Sequence, residues 1–257
     1  LQEKTPDMVE WRADYIADEF SQVMVWQQVK AGAQAELSQK NVSAMTEAKK
    51  LAEMDRAQEE FNANWPIMNS QIIKELAGSV FNTIGSFPII LTYRTKAQGG
   101  QGELSPIEYT TFMVSALHSG YHFAAVDVEY TLASELRDKI IAAAHETNTP
   151  CFLSYHDFNE TRAVDQFITD MSRTGADIIK LAVMPKTVAD VQLLLDATQE
   201  ASVQQPLITI SMGLIGQQSR VVGYRYGSEM TFATLDNQQT SAPGQLTIDE
   251  LLQAWQK

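Results

Sequence analysis

The sequence predicts an α/β protein folded as a parallel (β/α)8 barrel, and three observations support that fold class. Short apolar runs alternate with amphipathic segments from Phe87 to the C-terminal region. The amphipathic segments have apolar residues at helical spacing, and a Ser or Thr often stands where an N-cap would. Such strand–helix–strand alternation is typical of right-handed βαβ units, whose strands lie parallel in one sheet.

Seven strands are predicted, and each is a short apolar run. The first is "MVEWRAD" near the N-terminus, and the others are 88–94, 123–130, 151–157, 177–184, 207–212 and 230–235. Four amphipathic helices are predicted between them, and Gly120 and Gly175 stand where two of these helices should stop. Seven or eight sequential βα units favour a closed barrel over an open sheet. The lack of a G-x-G-x-x-G motif after the first strand disfavours a Rossmann fold.

An extra helical segment is predicted near the N-terminus, at about 16–84. It is rich in Ala, Gln, Glu and Lys and has no proline before Pro66, which favours two or three helices and no strand. One connecting helix needs far fewer residues, so we interpret the segment as a helical insertion in a single barrel domain spanning 1–257. It would lie on the barrel surface or at a subunit contact, and disorder of part of it is the alternative.

The composition excludes several classes of partner and site. A formal net charge of −13 and a sequence pI of about 4.7 indicate a surface that repels phosphate backbones and anionic lipid, so we expect no nucleic-acid or membrane partner. The single cysteine, Cys151, excludes an intramolecular disulfide framework, and no His-x-x-x-His or Cys-x-x-Cys motif indicates a metal site. Neither a signal-peptide pattern nor an apolar run of membrane-spanning length occurs, so a cytoplasmic location is expected.

Polar side chains stand at the C-terminal ends of the predicted strands, where a parallel barrel has its ligand site. Those at the strand ends are Glu10, Arg12, Arg94, Asp127, Glu129, His156 and Lys180, with Met212 beside them. Asp127 and Glu129 share a face because they are two residues apart on one strand. These ends predict a polar pocket built from several strands.

Lys180 is the most informative of these residues, because it lies within the apolar run "DIIKLAV". Desolvation favours a neutral amine, which attacks carbonyl carbon and forms a Schiff base. A histidine one strand away, His156, would then remove the proton that a Schiff base acidifies. The pattern alone leaves a structural alternative open for both residues. The lysine would reach solvent or pair with Asp127 or Glu129, and the histidine would be a hydrogen-bonded structural residue.

Seven short motifs, taken in order, resemble those of the type I 3-dehydroquinate dehydratases of the shikimate pathway. They are "EWRAD", "TYRTKAQGG", "VDVEY", "SYHDF", "IIKLAVMP", "SMGLIGQQSR" and "SAPGQ". They run from about Val9 to the C-terminal region and leave out the helical segment. The resemblance implies a barrel-fold hydro-lyase that converts 3-dehydroquinate into 3-dehydroshikimate. It also implies a homodimer and a reaction with no metal or cofactor.

The resemblance further implies a role for each candidate residue. Lys180 would condense with the C3 ketone as a Schiff base, and His156 would act as general acid and base. Arg220 would bind the substrate carboxylate under a loop that carries Ser241 and Gln245. The residues that would hold the ring hydroxyls are Glu10, Arg12 and Arg94, and those in support are Gln98, Met212 and Phe158.

The sequence departs from the family pattern at Gln98 and at the N-terminus. The family usually has an acidic residue, hydrogen-bonded to the catalytic histidine, where Gln98 stands, so we expect a lower pKa for His156 and a shifted pH optimum. No strand and helix precede "EWRAD", so the barrel either lacks its first βα unit or is completed in another way.

Two other functions stay open at this point. One is another Schiff-base barrel enzyme, such as a class I aldolase, which is not expected to carry Arg220, Ser241 and Gln245 together. The other is a non-catalytic relative that binds a ligand or a protein, which has little need of a desolvated lysine beside His156.

Overall fold

The computed structural model describes residues 6–16, 70–236 and 240–256. In these ranges one curled sheet of six parallel strands is flanked by helices, which is a TIM-barrel-like α/β fold. The strands lie in sequence order: β1 Val9–Arg12, β2 Ile89–Thr92, β3 Ala125–Glu129, β4 Cys151–Asp157, β5 Ile178–Val183 and β6 Leu207–Ser211. The predicted fold class and the first six predicted strands are confirmed. Within the described ranges β1 and β6 each pair with one strand, so this part of the sheet curls through part of a barrel.

Helices connect the strands and cover the outer face of the sheet. A first helix, α1, is described over residues 70–84. The others are α2 Pro106–Leu117, α3 Ser134–Glu146, α4 Val164–Ser172, α5 Val188–Ala201, α6 Gly213–Val222 and α7 Ile248–Trp255. Ser105 and Thr187 close capping boxes at the starts of α2 and α5. None of the helices in the described ranges has the length and apolar character that crossing a membrane requires.

Each strand turns alternate side chains to opposite sides. On β5, Ile179, Leu181 and Val183 belong to the apolar layer between the sheet and the helices, whereas Lys180 and Ala182 line a pocket inside the curl. A second apolar cluster fills the inside of the sheet below that pocket. Five members of this cluster lie on strands β2 to β6, each two residues before another inward-facing position of its strand. They are Ile90, Ala125, Phe152, Ile178 and Ile208. These five residues form an apolar floor.

The seventh predicted strand, at 230–235, is wrong. After β6 the described chain makes only isolated parallel bridges, Leu207 with Ser228 and Thr234 with Thr247. Ser228 Oγ accepts the Thr209 N–H, and Phe232 O accepts Arg220, so groups that a continuing ladder would use are already bonded. The side chain of Phe232 packs into the inner cluster. The apolar run that predicted a strand therefore packs its side chains without forming a hydrogen-bonded ladder.

The helical segment predicted at 16–84 lies mostly outside the described residues. Its last part, α1, is helical as predicted. α1 buries Ile73 and Leu76 in the outer layer, and the Phe81 ring lies 5.1 Å from the Tyr121 ring and 5.2 Å from the Phe123 ring. These contacts hold the end of the segment against the barrel just before β2.

Candidate active site

All of the side chains that the sequence singled out as site residues line one pocket at the C-terminal ends of the strands. They are Glu10, Arg12, Arg94, Gln98, His156, Phe158, Lys180, Met212, Arg220, Ser241 and Gln245. Parallel strands bring their C-terminal ends to the same edge, which is why residues from the two ends of the chain meet there. Gly99, Ala182, Ile210, Phe232 and Ala242 complete the described lining.

Lys180 projects into this pocket from the middle of β5. It is only 4% exposed, and its Nζ lies 2.7 Å from Asp127 Oδ2 and 3.6 Å from Glu10 Oε1. The centre of the Phe232 ring is 4.1 Å from Nζ, an arrangement that attracts a cation. The pairing with Asp127 that the sequence left open is therefore present, and it fixes the amine inside the pocket.

Asp127 binds two cations at once. Its Oδ1 is 2.7 Å from Arg94 Nη2 and accepts the Ser154 hydroxyl at 2.5 Å, while its Oδ2 faces Lys180. Burial alone would raise the pKa of Asp127, but Arg94 and Lys180 outweigh burial and hold that pKa well below its usual range. Asp127 therefore stays ionised and keeps both cations in place.

Arg94 is enclosed by acceptors on β3 and β4. Its Nη1 donates to Ser154 Oγ at 2.7 Å and lies 3.4 Å from Glu129 Oε1. Glu129 is itself held by the Thr95 N–H at 2.8 Å and the Thr95 hydroxyl at 2.7 Å. Burial acts to lower the pKa of Arg94, but Asp127 and Glu129 reverse that effect and raise it. The positive charge of Arg94 is thus neutralised by protein carboxylates.

His156 stands at the end of β4 with its ring stacked on Phe158, the ring centroids 6.2 Å apart. Its Nδ1 is buried and has no hydrogen-bond partner among the described residues. Burial lowers the pKa of His156 well below 6.5, and the positive charges of Arg94 and Lys180 lower it further. The imidazole is therefore neutral near pH 7, the form that accepts a proton.

Gln98 supports His156 through the backbone. Its Oε1 accepts the His156 N–H at 2.8 Å, so the amide holds the end of β4 and not the imidazole ring. Burial is the largest cause of the lowered pKa of His156, so the lower pKa expected from Gln98 in place of an acidic residue stays a prediction.

The imidazole of His156 is expected to titrate well below pH 6.5 in the free protein. The unfolded chain then binds a proton near pH 6.5 that the folded chain does not, so this group makes the free energy of unfolding fall as the pH drops below about 6.5. Titration of the histidine ring protons by NMR, with His156→Gln to assign the signal, measures this directly. In Gln98→Glu the added carboxylate should raise the pKa. A wild-type signal that titrates at 6.5 or above would contradict the expectation.

Arg220 is the buried cation without a carboxylate partner among the described residues of the pocket. It is 3% exposed, and its Nη1 and Nη2 reach only the backbone oxygens of Phe232 and Pro243, each at 3.4 Å. Its Nε has no described hydrogen-bond partner. Burial lowers the pKa of Arg220 to about 10, so the guanidinium is still charged at pH 7. A planar anion such as a carboxylate matches these donors.

The loop at 241–245 lies over the same end of the pocket. The Ser241 N–H and hydroxyl donate to Gln245 Oε1 at 2.9 and 3.1 Å. Pro243 O accepts the Gly213 N–H at 3.0 Å, and Gly244 packs so tightly on the Gly213 carbonyl that a Cβ would collide with it. The loop is therefore latched to the start of α6, the helix that carries Arg220.

Several residues at the site were not assigned by the sequence analysis. The register of β3, β4 and β5 places Ser154 between Glu129 and Lys180, yet Lys180 Nζ contacts Asp127, two residues before Glu129 on β3. The apolar run at 230–235 was interpreted as a strand, whereas Met230 and Phe232 pack against the inner cluster. No group of three or more metal-ligating side chains occurs in the ranges that the structure describes.

Comparison with known proteins identifies related sequences and structures. A model of the family described as type I 3-dehydroquinase matches residues 38–257. A 3-dehydroquinate dehydratase of Lactiplantibacillus plantarum is 38% identical over 190 residues, which cover 72% of this chain and 74% of that protein. The solved 3-dehydroquinate dehydratase of Geobacillus kaustophilus aligns with a TM-score of 0.72 and 28% identity, over 99% of this chain and 81% of that one. A type I enzyme of Clostridium difficile, solved with covalently modified comenic acid, aligns with a TM-score of 0.67 and 32% identity, over 74% and 76%.

Proposed function

The chain belongs to the type I 3-dehydroquinase family of hydro-lyases, and we propose that it dehydrates 3-dehydroquinate to 3-dehydroshikimate through a Schiff base on Lys180. The observation that carries the proposal is the joint position of Lys180 and Arg220. A buried amine and a buried guanidinium that lacks a described carboxylate partner line one pocket, so a keto acid would meet both groups. A homodimer in the cytoplasm, which the family implies, is part of the same proposal.

The ammonium of Lys180 first gives a proton to the neutral imidazole of His156, and the free amine attacks the C3 carbonyl to form a carbinolamine. The imidazolium returns the proton to the carbinolamine hydroxyl, which leaves as water and gives a protonated imine beside neutral His156. The imine makes the C2 protons acidic, and neutral His156 removes one of them. The resulting enamine expels the C1 hydroxyl, which takes a proton from His156 and leaves as water. One water then hydrolyses the product imine and returns free Lys180. The overall reaction releases one water from the substrate.

Asp127 prepares the first step of this sequence. It holds Nζ of Lys180 within the pocket, and its own strongly lowered pKa makes it a poor proton acceptor. The neutral imidazole of His156 is the better base for the same pocket. We therefore assign proton transfer to His156 and electrostatic positioning of the amine to Asp127.

Arg220 would bind the substrate carboxylate, because its donors make only long hydrogen bonds of 3.4 Å to backbone oxygens. No described side chain neutralises its charge. Ser241 and Gln245 lie beside it on the latched loop and would close that end of the pocket. This carboxylate set favours a dehydratase over an aldolase-like enzyme.

The test is to incubate the protein with 3-dehydroquinate and follow the ultraviolet absorbance of the product, whose new double bond is conjugated with the C3 ketone. A parallel sample is reduced with sodium borohydride and examined by peptide mass spectrometry. We expect rising absorbance and a substrate-derived mass on the peptide that contains Lys180. Folded protein that binds the ligand but gives neither signal would overturn the proposal.

A further inference from the structure

Arg12 enters the pocket from the end of β1 already bound to a carboxylate. Its Nε donates to Asp14 Oδ1 at 2.8 Å and its Nη2 to Asp14 Oδ2 at 2.7 Å, which is a bidentate pair. Asp14 is only 2% exposed. The guanidinium carbon of Arg12 also lies 5.2 Å from the centre of the Tyr15 ring. The orientation of Arg12 is therefore fixed before any ligand arrives.

Asp14 also joins two loops of the pocket rim. Its Oδ2 accepts the Gln101 N–H at 3.0 Å, and Gln101 lies in the loop that follows β2. The same loop carries Gln98, which holds the backbone of His156. One buried carboxylate thus connects the β1 end, with Arg12, to the β2 loop that supports the proposed base.

The three arginines of the pocket differ in how their charge is neutralised. Arg94 contacts Asp127 and Glu129, and Arg12 contacts Asp14. Arg220 has no carboxylate partner in the part of the chain that the structure describes, and both of its closest acceptors are backbone oxygens. The pocket is therefore electrically asymmetric, with an unneutralised cation at the Arg220 end alone.

We propose that Asp14 is a specificity-determining positioning residue, which restricts Arg12 to neutral oxygen atoms and leaves Arg220 as the site for a carboxylate. Arg12 keeps donors for hydroxyl or carbonyl oxygens, but its pairing with Asp14 removes the net charge that would attract an anion. A ring that carries one carboxylate then binds in one orientation and not in the reverse one. The inference rests on the proposed function only for the identity of that ring.

Loss of the Asp14 charge should convert Arg12 into a second anion site. In Asp14→Asn the side chain keeps its size and one acceptor, but Arg12 and the Gln101 N–H lose their anionic partner. Sulfate is a suitable probe because it needs no turnover. We expect sulfate to bind at the new site in this variant about ten- to a hundred-fold more tightly than in the wild type, and reversed, non-productive binding of the substrate to lower kcat and KM by a common factor. We expect kcat/KM to change less than either constant, because non-productive binding leaves that ratio unchanged and Asp14 touches neither Lys180 nor His156.

The matched control is Asp138→Asn, which removes one negative charge from an exposed carboxylate beside Arg137. It should leave sulfate binding and KM at wild-type values. The double variant Arg12→Gln/Asp14→Asn lacks the proposed second cation and should lose the added sulfate site. Tighter sulfate binding that also appears in Asp138→Asn, or that persists in the double variant, would overturn the proposal.

The wild-type protein gives an independent test by calorimetry, which holds even if Asp14→Asn fails to fold. We expect sulfate to bind the pocket at one place, to compete with the substrate, and to be lost in Arg220→Met. Sulfate that still binds in Arg220→Met and disappears only in Arg12→Gln would show that Arg12 attracts anions despite Asp14, which contradicts the proposal. Because sulfate binding is measured without catalysis, a protein that binds sulfate as expected but does not dehydrate 3-dehydroquinate would overturn the proposed function alone.

Discussion

Replacement of Lys180 by methionine is expected to abolish the borohydride-trapped adduct and to lower kcat on the order of 10⁴- to 10⁶-fold, the range seen when a nucleophile is removed from an active site. Methionine keeps the apolar stem within β5 but has no amine to attack the C3 carbonyl. Arg94 remains paired with Asp127, so the negative charge of Asp127 keeps one partner. Absorbance of the product measures the rate, and peptide mass spectrometry locates any adduct.

Lys186→Met is the control for this substitution. Lys186 is exposed, and its Nζ lies 3.5 Å from Glu160 Oε2, away from the pocket lining. We expect this variant to keep the wild-type rate and the adduct on Lys180. A Lys180→Met protein that is folded and still turns over at more than about 1% of the wild-type rate would contradict the Schiff-base mechanism, because no smaller effect is consistent with loss of the nucleophile.

Replacement of Asp127 by alanine is expected to lower the free energy of unfolding by about 3–5 kcal/mol, because it breaks a buried ion pair from one side. Arg94 and Lys180 would then stay buried without the carboxylate that both of them contact. That loss is a large share of the roughly 5–15 kcal/mol that stabilises a typical protein. Urea denaturation followed by circular dichroism measures the change. We also expect the activity to fall, since the amine of Lys180 loses its positioning partner.

The effect of Asp127→Ala should depend on pH with a defined sign. The pKa of Asp127 is lowered by folding, so its stabilising contribution is present above the unfolded-state pKa of about 3.9 and is lost as the pH falls below it. The difference between the wild type and the variant should therefore narrow in acid. Asp138→Ala, on an exposed carboxylate, should change stability by less than about 1 kcal/mol at every pH. A decrease in the free energy of unfolding of less than about 1 kcal/mol in Asp127→Ala at pH 7 would contradict the interpretation that Asp127 stabilises the buried Arg94 and Lys180.

The sequence predicted the parts of the fold that follow from periodicity. Six strands and the helices between them were visible because a parallel sheet covered by helices needs apolar runs at regular intervals. The inward side chains at the strand ends were also predictable, since residues two apart share a face. Arg220, Ser241 and Gln245 were found through the family resemblance, because they lie on a helix and a loop that have no strand-end position.

Contacts between strands were beyond such reasoning. Whether Lys180 would pair with Asp127 or Glu129 depends on the register of three strands and on the path of the lysine side chain, neither of which alternation specifies. The bidentate contact of Asp14 with Arg12 depends on the turn after β1, where Asp14 belongs to a short 3₁₀ helix and not to the predicted strand. At 230–235 the apolar run predicted a strand, but its side chains pack against the inner cluster without a hydrogen-bonded ladder.

The pairing of β1 with β2 bears on the order of folding and on how the chain can vary. Thr92 donates to Glu10 across 82 positions, whereas Ser154 reaches Asp127 across 27. Because the entropy of closing a loop grows only with the logarithm of its length, the longer closure costs only about 1 kcal/mol more. Strands β2 to β6 can thus pair with one another before β1 pairs with β2. The pocket is complete only after that pairing, because Glu10 and Arg12 of β1 line it. The connection between β1 and β2 can lengthen or shorten over evolution at little energetic cost while the residues around the substrate keep their places.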